Sequence, residues 1–143
     1  MTEIKEKRVS ISSVVENLLP SGLCDGNPEK AESSSDGFLR ITDNEYNITA
    51  SEMSEGGKIV TDITVKDDRI TVKRSGAIES EMIFSEGFLH KSLYTVSPYS
   101  FDCEIVTKKI RNNLTRDGGR LDIFYEMKIG GAEKRVKMRI ECL

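Results

Sequence analysis

The chain has 143 residues, 37% of them hydrophobic, and its 24 acidic and 21 basic side chains give a formal charge of -3. This length suits one domain over residues 1–143, and folding would bury roughly 68% of the extended surface, enough for a self-sufficient core. The near-neutral charge argues against a dedicated nucleic-acid binder, and the absence of a long apolar run argues against a membrane span.

The N-terminal quarter, residues 1–36, predicts a first strand, a loop and a weaker second strand. Met1 to Arg8 is charged and lacks the apolar core of a secretory signal, so we expect a cytoplasmic protein. Lys7 to Val15 alternates and predicts the first strand. The only trace of helical spacing is a short turn over Val14 to Leu19. A turn-rich loop over 17–30 then leads to Ala31–Ser35, which is polar and predicts an edge strand.

Two hairpins follow. In the first, Asp43-Asn44 is the turn between strands over Phe38–Thr42 and Tyr46–Met53, with Ile41 facing Tyr46. In the second, Asp67-Asp68 joins two alternating strands. That loop sets three pairs across the second hairpin: Val65 with Ile70, Ile63 with Val72, and Thr61 with Arg74.

The central part of the chain predicts three more strands. Ala77–Ser85 and Phe88–Val96 are two of them, and in the second both faces are partly apolar. The third has its apolar residues on odd numbers at Phe101, Cys103 and Ile105, and on even numbers at Ile110 and Leu114. This change of phase near Lys108-Lys109 predicts a β-bulge or a bend.

Residues 120–142 predict a hairpin with one dry face, because apolar residues alternate on both sides of Gly130-Gly131. With a two-residue loop the apolar side chains face one another and the outer pairs have opposite charges. These outer pairs are Glu126 with Arg135, Asp122 with Arg139 and Arg120 with Glu141, while Phe124 lies beside Lys137. A four-residue loop would place like charges opposite one another, so the tight register is favoured. The basic run Lys134–Arg139 is then a charge ladder on a solvated face, and no nucleic-acid partner is expected.

These segments predict an all-β protein: a meandering antiparallel sheet of about 8–10 strands that closes into a barrel and so removes its edges. A barrel of this size encloses side chains or one small ligand. A β-sandwich is the alternative, but it would need longer crossing connections.

A resemblance to a known family is carried by Ile70–Ile78, with its Arg-Ser-Gly turn, and by the segment from His90 to Pro98-Tyr99. With Met82, Phe84, Gly87, Thr107 and Tyr125, these residues resemble the DUF1934 family of small bacterial proteins over roughly residues 37–140. The resemblance implies a calycin-like, lipocalin-type barrel and implies no activity.

Arg74 is the most informative polar residue, because the predicted register turns it toward the apolar face, where a guanidinium is rarely buried unless paired. Its neighbours by phase are Thr61, Ser80, Thr107 and Tyr125, with His90 and Tyr94 if the Phe88 strand turns its even face inward. Three alternatives remain open. The guanidinium lies in water at the barrel mouth, bonds the Ser75-Gly76 turn, or binds an anionic ligand.

Three hypotheses follow for function. The first is a barrel that binds a small anionic or amphipathic molecule through Arg74 and Tyr125. The second is a protein-interaction module, including a homodimer, with a filled barrel and an outer apolar surface over Phe124, Ile83 and the Phe88–Val96 strand. The third is an enzyme with His90 as base, although the sequence supplies no nucleophile or metal partner for it.

No cofactor is expected, because the glycine pairs are turn glycines and no Cys/His cluster exists. Cys24, Cys103 and Cys142 form no CxxC pair and suit reduced thiols in the cytoplasm.

Overall fold

In the part of the chain that the structure describes, ten antiparallel β-strands pair in chain order, and the first strand pairs with the last to close a barrel. The computed structural model describes residues 2–143. The strands are β1 Glu3–Asn17, β2 Glu29–Ile41, β3 Glu45–Ser54, β4 Gly57–Lys66, β5 Arg69–Gly76, β6 Glu79–Phe84, β7 Leu89–Val96, β8 Tyr99–Thr115, β9 Gly118–Ile129 and β10 Ala132–Cys142. The predicted all-β meander and its closure are therefore confirmed.

The predicted hairpin registers are confirmed. Tyr125 pairs with Val136 and Asp122 with Arg139 between β9 and β10. The backbones of Gly130 and Gly131 have φ values of 56° and 83°, a left-handed pair that glycine adopts without strain and that a two-residue hairpin loop requires. Ile41 pairs with Tyr46 across β2 and β3. The register of β4 and β5 is also the predicted one, including Thr61 opposite Arg74.

The change of phase in β8 is a true irregularity of the ladder. Its register against β9 shifts between Thr107 and Lys109, as the sequence predicts. Before the shift the odd residues Cys103, Ile105 and Thr107 are buried, and after it Ile110 pairs with the buried Ile123. The bulge lets one 17-residue strand keep its apolar side inward while it bends around the barrel.

Residues 1–36 differ most from expectation. The helical turn over Val14–Leu19 is wrong, because β1 continues to Asn17 and residue 18 only bridges to Cys24. The polar segment Ala31–Ser35 is not a separate strand but part of β2, which pairs with β1 from Glu29 onward. Pairing to β1 needs only backbone groups, so the serines do not interrupt the strand.

The barrel core is made by the inward residues of all strands except β7. Its members form one cluster, which includes Leu39, Ile48, Ile63, Ile70, Phe84, Ile105, Leu121, Ile123 and Ile140, each at most 1% exposed. These large side chains fill the half of the barrel nearer the chain termini. The other half, towards the β9–β10 turn, contains polar residues beside its apolar ones.

Asp122 is buried although it lies on the outer face of β9. Its neighbours on the adjacent strands are Arg111 and Arg139, and only 2% of its surface is exposed. The Nε of Arg139 donates to Oδ1 at 2.9 Å, and the Nε of Arg120 lies 3.6 Å from Oδ2. The predicted solvated charge ladder is therefore corrected at this position: arginine side chains shield the carboxylate from water.

We expect Asp122→Ala to lower the free energy of unfolding by about 1.5–3 kcal/mol, the usual contribution of a hydrogen bond to a charged group. Glu126→Ala is the matched control, because Glu126 lies on the same face of β9 but is half-exposed and 3.9 Å from Arg135. An exposed pair contributes at most about 1 kcal/mol. Urea denaturation measures both variants, and equal losses would contradict the distinct role of Asp122.

Candidate functional site

A row of polar side chains crosses four neighbouring strands inside the barrel. The registers place Thr61 opposite Arg74, Arg74 opposite Ser80, and Ser80 opposite Tyr94. On the other side of the barrel, Thr107 pairs with Tyr125. Thr61, Ser80, Thr107 and Tyr125 are buried, and Tyr94 is half-buried. The even face of β7 turns inward at Tyr94, as one of the sequence alternatives requires.

Arg74 brings an uncompensated positive charge into this region. Within residues 2–143 its guanidinium makes no ion pair and no hydrogen bond, and its Nε is buried. The hydroxyl oxygens Oγ of Ser80 and Oγ1 of Thr107 are also buried without a partner in the described chain. A buried polar group without a hydrogen bond costs about 1–3 kcal/mol. Of these groups Arg74 also lines a cavity inside the barrel, so an acceptor bound beside its guanidinium would offset part of this cost.

Tyr125 adds a neutral phenol to the same region. Its side chain is 4% exposed, and its ring lies against Phe84 with a centroid distance of 4.8 Å. Burial raises the pKa of Tyr125 well above its usual range, although the positive charge of Arg74 acts in the opposite direction. The phenol therefore keeps its proton at physiological pH and is available as a hydrogen-bond donor.

A cavity of about 430 Å³ lies above this row, within the half of the barrel nearer the β9–β10 turn. Arg74, Tyr94 and Tyr125 are the polar residues that the row contributes to its lining. Most of the remaining wall is apolar and is formed by Ile11, Val15, Met82, Met127, Ile129, Val136 and Met138. The cavity thus combines a cation and two phenols with a flexible apolar wall.

The mouth of the cavity is charged. Glu32, Glu52 and Lys134 line it on β2, β3 and β10, next to the connections that cap this end of the barrel. None of the three forms an ion pair with another described residue. Sequence reasoning missed Glu52 and Lys134 as cavity residues. The alternation of their strands could have indicated that they face inward, because Lys134 is in phase with Val136 and Met138, and Glu52 is in phase with Ile48 and Ala50. The assignment of Lys134 to the solvated face is therefore wrong, and only Arg135, Lys137 and Arg139 of that basic run lie outside.

The structure brings five of the six predicted site residues together and places His90 apart from them. Arg74, Tyr94 and Tyr125 line the cavity, while Thr61 and Thr107 are buried beside them on neighbouring strands. His90 does not line it. The ladder between β6 and β7 includes only the pairs of Glu79 and Ser80. Beyond these two pairs, towards the β6–β7 connection, Nε2 of His90 donates to the carbonyl oxygen of Glu81 at 3.2 Å.

The outer surface predicted for partner contact is divided. Phe124 is half-buried on β9, with the Arg111 guanidinium 5.7 Å and the Lys137 ammonium 5.3 Å from its ring centroid. Leu89 and Leu93 on β7 are exposed, and Ile83 on β6 is half-buried. Because two cations cover Phe124, it does not extend the apolar surface of β7.

Cysteine and metal chemistry contribute little to the site. Cys103 and Cys142 are buried and burial raises the pKa of both thiols, so each packs as a small hydrophobic side chain of the core. Among residues 2–143 no three His, Cys, Asp or Glu side chains form a group suited to a metal. The same part of the chain contains no helix of the length and apolarity needed to cross a membrane.

The comparisons with known proteins agree with this fold. The family model described as "Domain of unknown function (DUF1934)" matches residues 23–140. The chain is 28% identical over 126 residues to "Uncharacterized beta-barrel protein YwiB" of Bacillus subtilis (strain 168), a match that covers 88% of this chain and 84% of the relative. The crystal structure of the ywiB protein from Bacillus subtilis is similar with a TM-score of 0.81 and 26% identity, covering 98% of this chain and 93% of that one.

Burial of Tyr125 predicts a pH dependence of stability. Above about pH 10, where an exposed tyrosine ionises, the unfolded chain loses a proton that the folded chain retains, so stability falls as the pH rises. We expect Tyr125→Phe to reduce this slope by about 1.4 kcal/mol per pH unit. Tyr99→Phe is the control, because Tyr99 is 66% exposed and should leave the slope unchanged. Denaturation curves from neutral to alkaline pH test this, and equal slopes in wild type and Tyr125→Phe would refute it.

Proposed function

The chain belongs to the DUF1934 family, and from the geometry of its barrel we propose that it binds a small anionic or amphipathic molecule in the cavity above Arg74. The observation that carries this proposal is the guanidinium of Arg74, which lies in the cavity wall without an ion-pair or hydrogen-bond partner in the described chain. Arginine binds carboxylate and phosphate groups through a planar fork of donors. An anionic group on the ligand would supply the missing acceptor.

The surroundings of Arg74 favour an anion over a neutral ligand. The phenols of Tyr94 and Tyr125 line the same cavity and can donate to the same acceptor. The acidic side chains Glu32 and Glu52 belong to the mouth, where water screens their charge. These carboxylates therefore repel an anion less at the base of the cavity, beside Arg74, than at its entrance.

The walls favour an apolar body on the ligand. Three of the five methionines of the chain, Met82, Met127 and Met138, line the cavity. Methionine is unbranched and polarisable, so it adapts to ligands of different outline. A molecule with an anionic head at Arg74 and an apolar part against these side chains would use both features. Burial of that apolar part contributes about 25 cal/mol per Å².

The test uses two fluorescent probes of the same ring size: anilinonaphthalene sulfonate, which is anionic, and N-phenylnaphthylamine, which is neutral. We expect Arg74→Met to weaken binding of the anionic probe roughly 10- to 100-fold, because a hydrogen bond to a charged group contributes about 1.5–3 kcal/mol. Binding of the neutral probe should change much less. Arg74→Lys should retain an intermediate affinity for the anion.

Arg69→Met is the matched control, because Arg69 is also on β5 but lies over the ring of Phe88 on the outside of the barrel. It should leave both affinities unchanged. Circular dichroism and thermal melting check that each variant is folded. Equal affinity of wild type and folded Arg74→Met for the anionic probe would refute the proposal, as would equal losses for both probes. Unfolding of Arg74→Met together with Arg74→Lys would assign Arg74 a structural role instead.

A further inference from the structure

The barrel ladder is incomplete between β2 and β3. Their pairing ends at Gly37 opposite Ala50, although β2 begins at Glu29 and β3 continues to Ser54. A Cβ atom on Gly37 would lie 2.4 Å from the carbonyl oxygen of Thr49, so only glycine permits this last close approach. Beyond it, residues 29–36 of β2 pair with β1 on one side and have no strand partner among residues 2–143 on the other. This free segment of β2, residues 29–36, is hereafter called the β2 edge.

The phase of the ladder tells which backbone groups of the β2 edge point away from β1. The hydrogen bond from Thr42 N to Glu45 O directs the backbone of even residues in β2 toward β3. The mutual bonds of Arg8 with Leu143 agree, because they direct the even residues of β1 away from β2. Lys30, Glu32, Ser34 and Asp36 therefore present their N–H and C=O groups at the β2 edge, and their side chains point outward.

Charges alternate along the outer side of the β2 edge. Lys30 is positive, Glu32 and Asp36 are negative, and a second positive charge lies at Ser34, because Arg8 reaches across β2 to that residue. The Nη2 atom of Arg8 donates to the Ser34 carbonyl at 3.3 Å, and its Nη1 lies 3.2 Å from Oδ1 of Asp36. Within the described chain Lys30 and Glu32 have no ion-pair partner. The sequence of signs from Lys30 to Asp36 is therefore plus, minus, plus, minus.

We propose that the β2 edge pairs antiparallel with the β2 edge of a second copy of this chain, about a two-fold axis at Ser33. In this register each positive position faces a negative one: Lys30 faces Asp36 of the other copy, and Glu32 faces Ser34 with its Arg8. The inward side chains that meet are small, Ala31 with Ser35 and Ser33 with itself. Strand addition of this kind satisfies the free backbone groups, and the interface is isologous. The Ser34 carbonyl, which already accepts from Arg8, has a second lone pair for the N–H of Glu32 in the other copy.

The neighbouring registers in the same hydrogen-bond phase are unfavourable. A two-fold axis at Glu32 would place that carboxylate opposite its own copy and Lys30 opposite Arg8. An axis at Ser34 would place Glu32 opposite Asp36 and the two Arg8 side chains together. Like charges directly opposite one another are destabilising, so only the axis at Ser33 uses the full edge without repulsion. The charges of the β2 edge thus oppose other strand partners while they match a second copy.

This contact would also complete the cavity wall. Ala31, Glu32 and Ser33 are consecutive residues, and all three line the cavity. Since side chains of consecutive strand residues point to opposite faces, the cavity extends to the margin of the strand itself. A second copy would cover this margin. The proposal does not depend on ligand binding, and the two can fail separately.

Sedimentation velocity of the full chain over a concentration series tests the association. We expect a weak monomer–dimer equilibrium, with a Kd of roughly 10 to 1,000 μM, because a short polar edge buries less than a standard interface of about 1,600 Å². Lys30→Glu should weaken it at least about fivefold by facing Asp36 of the other copy with a like charge. The double variant Lys30→Glu/Asp36→Lys should recover most of the loss. A monomer at every concentration, or a dimer indifferent to Lys30→Glu, would overturn the proposal.

A cross-link tests the register independently of affinity. With Cys24→Ser as background, Ser33→Cys should form an intermolecular disulfide, since directly opposed residues of a non-hydrogen-bonded pair have Cα atoms about 4.5 Å apart. Ser35→Cys is the control, because its counterpart in the other copy would be about 14 Å away. Efficient cross-linking by Ser35→Cys, or none by Ser33→Cys in a folded dimer, would exclude the axis at Ser33.

Discussion

Antiparallel pairing around a closed ladder is the constraint on which the rest of this structure depends. Once each strand is paired on both sides, successive side chains must alternate between the interior and the outside. The register of a hairpin then decides not only which residues meet but also which of them face the cavity. Arg74 lines the cavity because Thr61 is buried and the Asp67-Asp68 turn pairs the two. No local preference of arginine would place it there.

Most of the fold was predictable because the turn residues and the alternation of apolar residues independently indicate the same strand registers. The Gly130-Gly131 turn, the apolar faces and the opposed charges all require one register for β9 and β10, and a shift by one residue would reverse every face. The bulge near Thr107 was visible as a change of parity. In contrast, the first half of β2 gave a weak signal, since its serines pair through backbone groups that a sequence does not display.

The site was only partly predictable, for two physical reasons. Parity identifies an inward residue but not its depth, so Arg74 and Tyr125 could be placed on the inner face without knowledge of the cavity around them. Long side chains also bury neighbours on their own face, which alternation does not predict. Asp122 is buried on the outside because arginines from three strand positions approach it, an arrangement that involves three strands. His90 bonds a carbonyl where the ladder between β6 and β7 is interrupted, which pairwise alternation cannot reveal.

Polar groups inside this barrel and the incomplete pairing of its wall have a common origin. Large side chains fill the half of the barrel nearer the termini, and there the ladder between β2 and β3 is intact. In the other half the inward residues of β2 are Ala31, Ser33 and Ser35, which bury little apolar surface and hold the strands together weakly. The same small residues leave room for the cavity and expose the cationic wall at Arg74. The cavity and the free β2 edge thus both follow from the small side chains at Ala31, Ser33 and Ser35. Replacing these residues by larger ones would therefore change the cavity and the edge together.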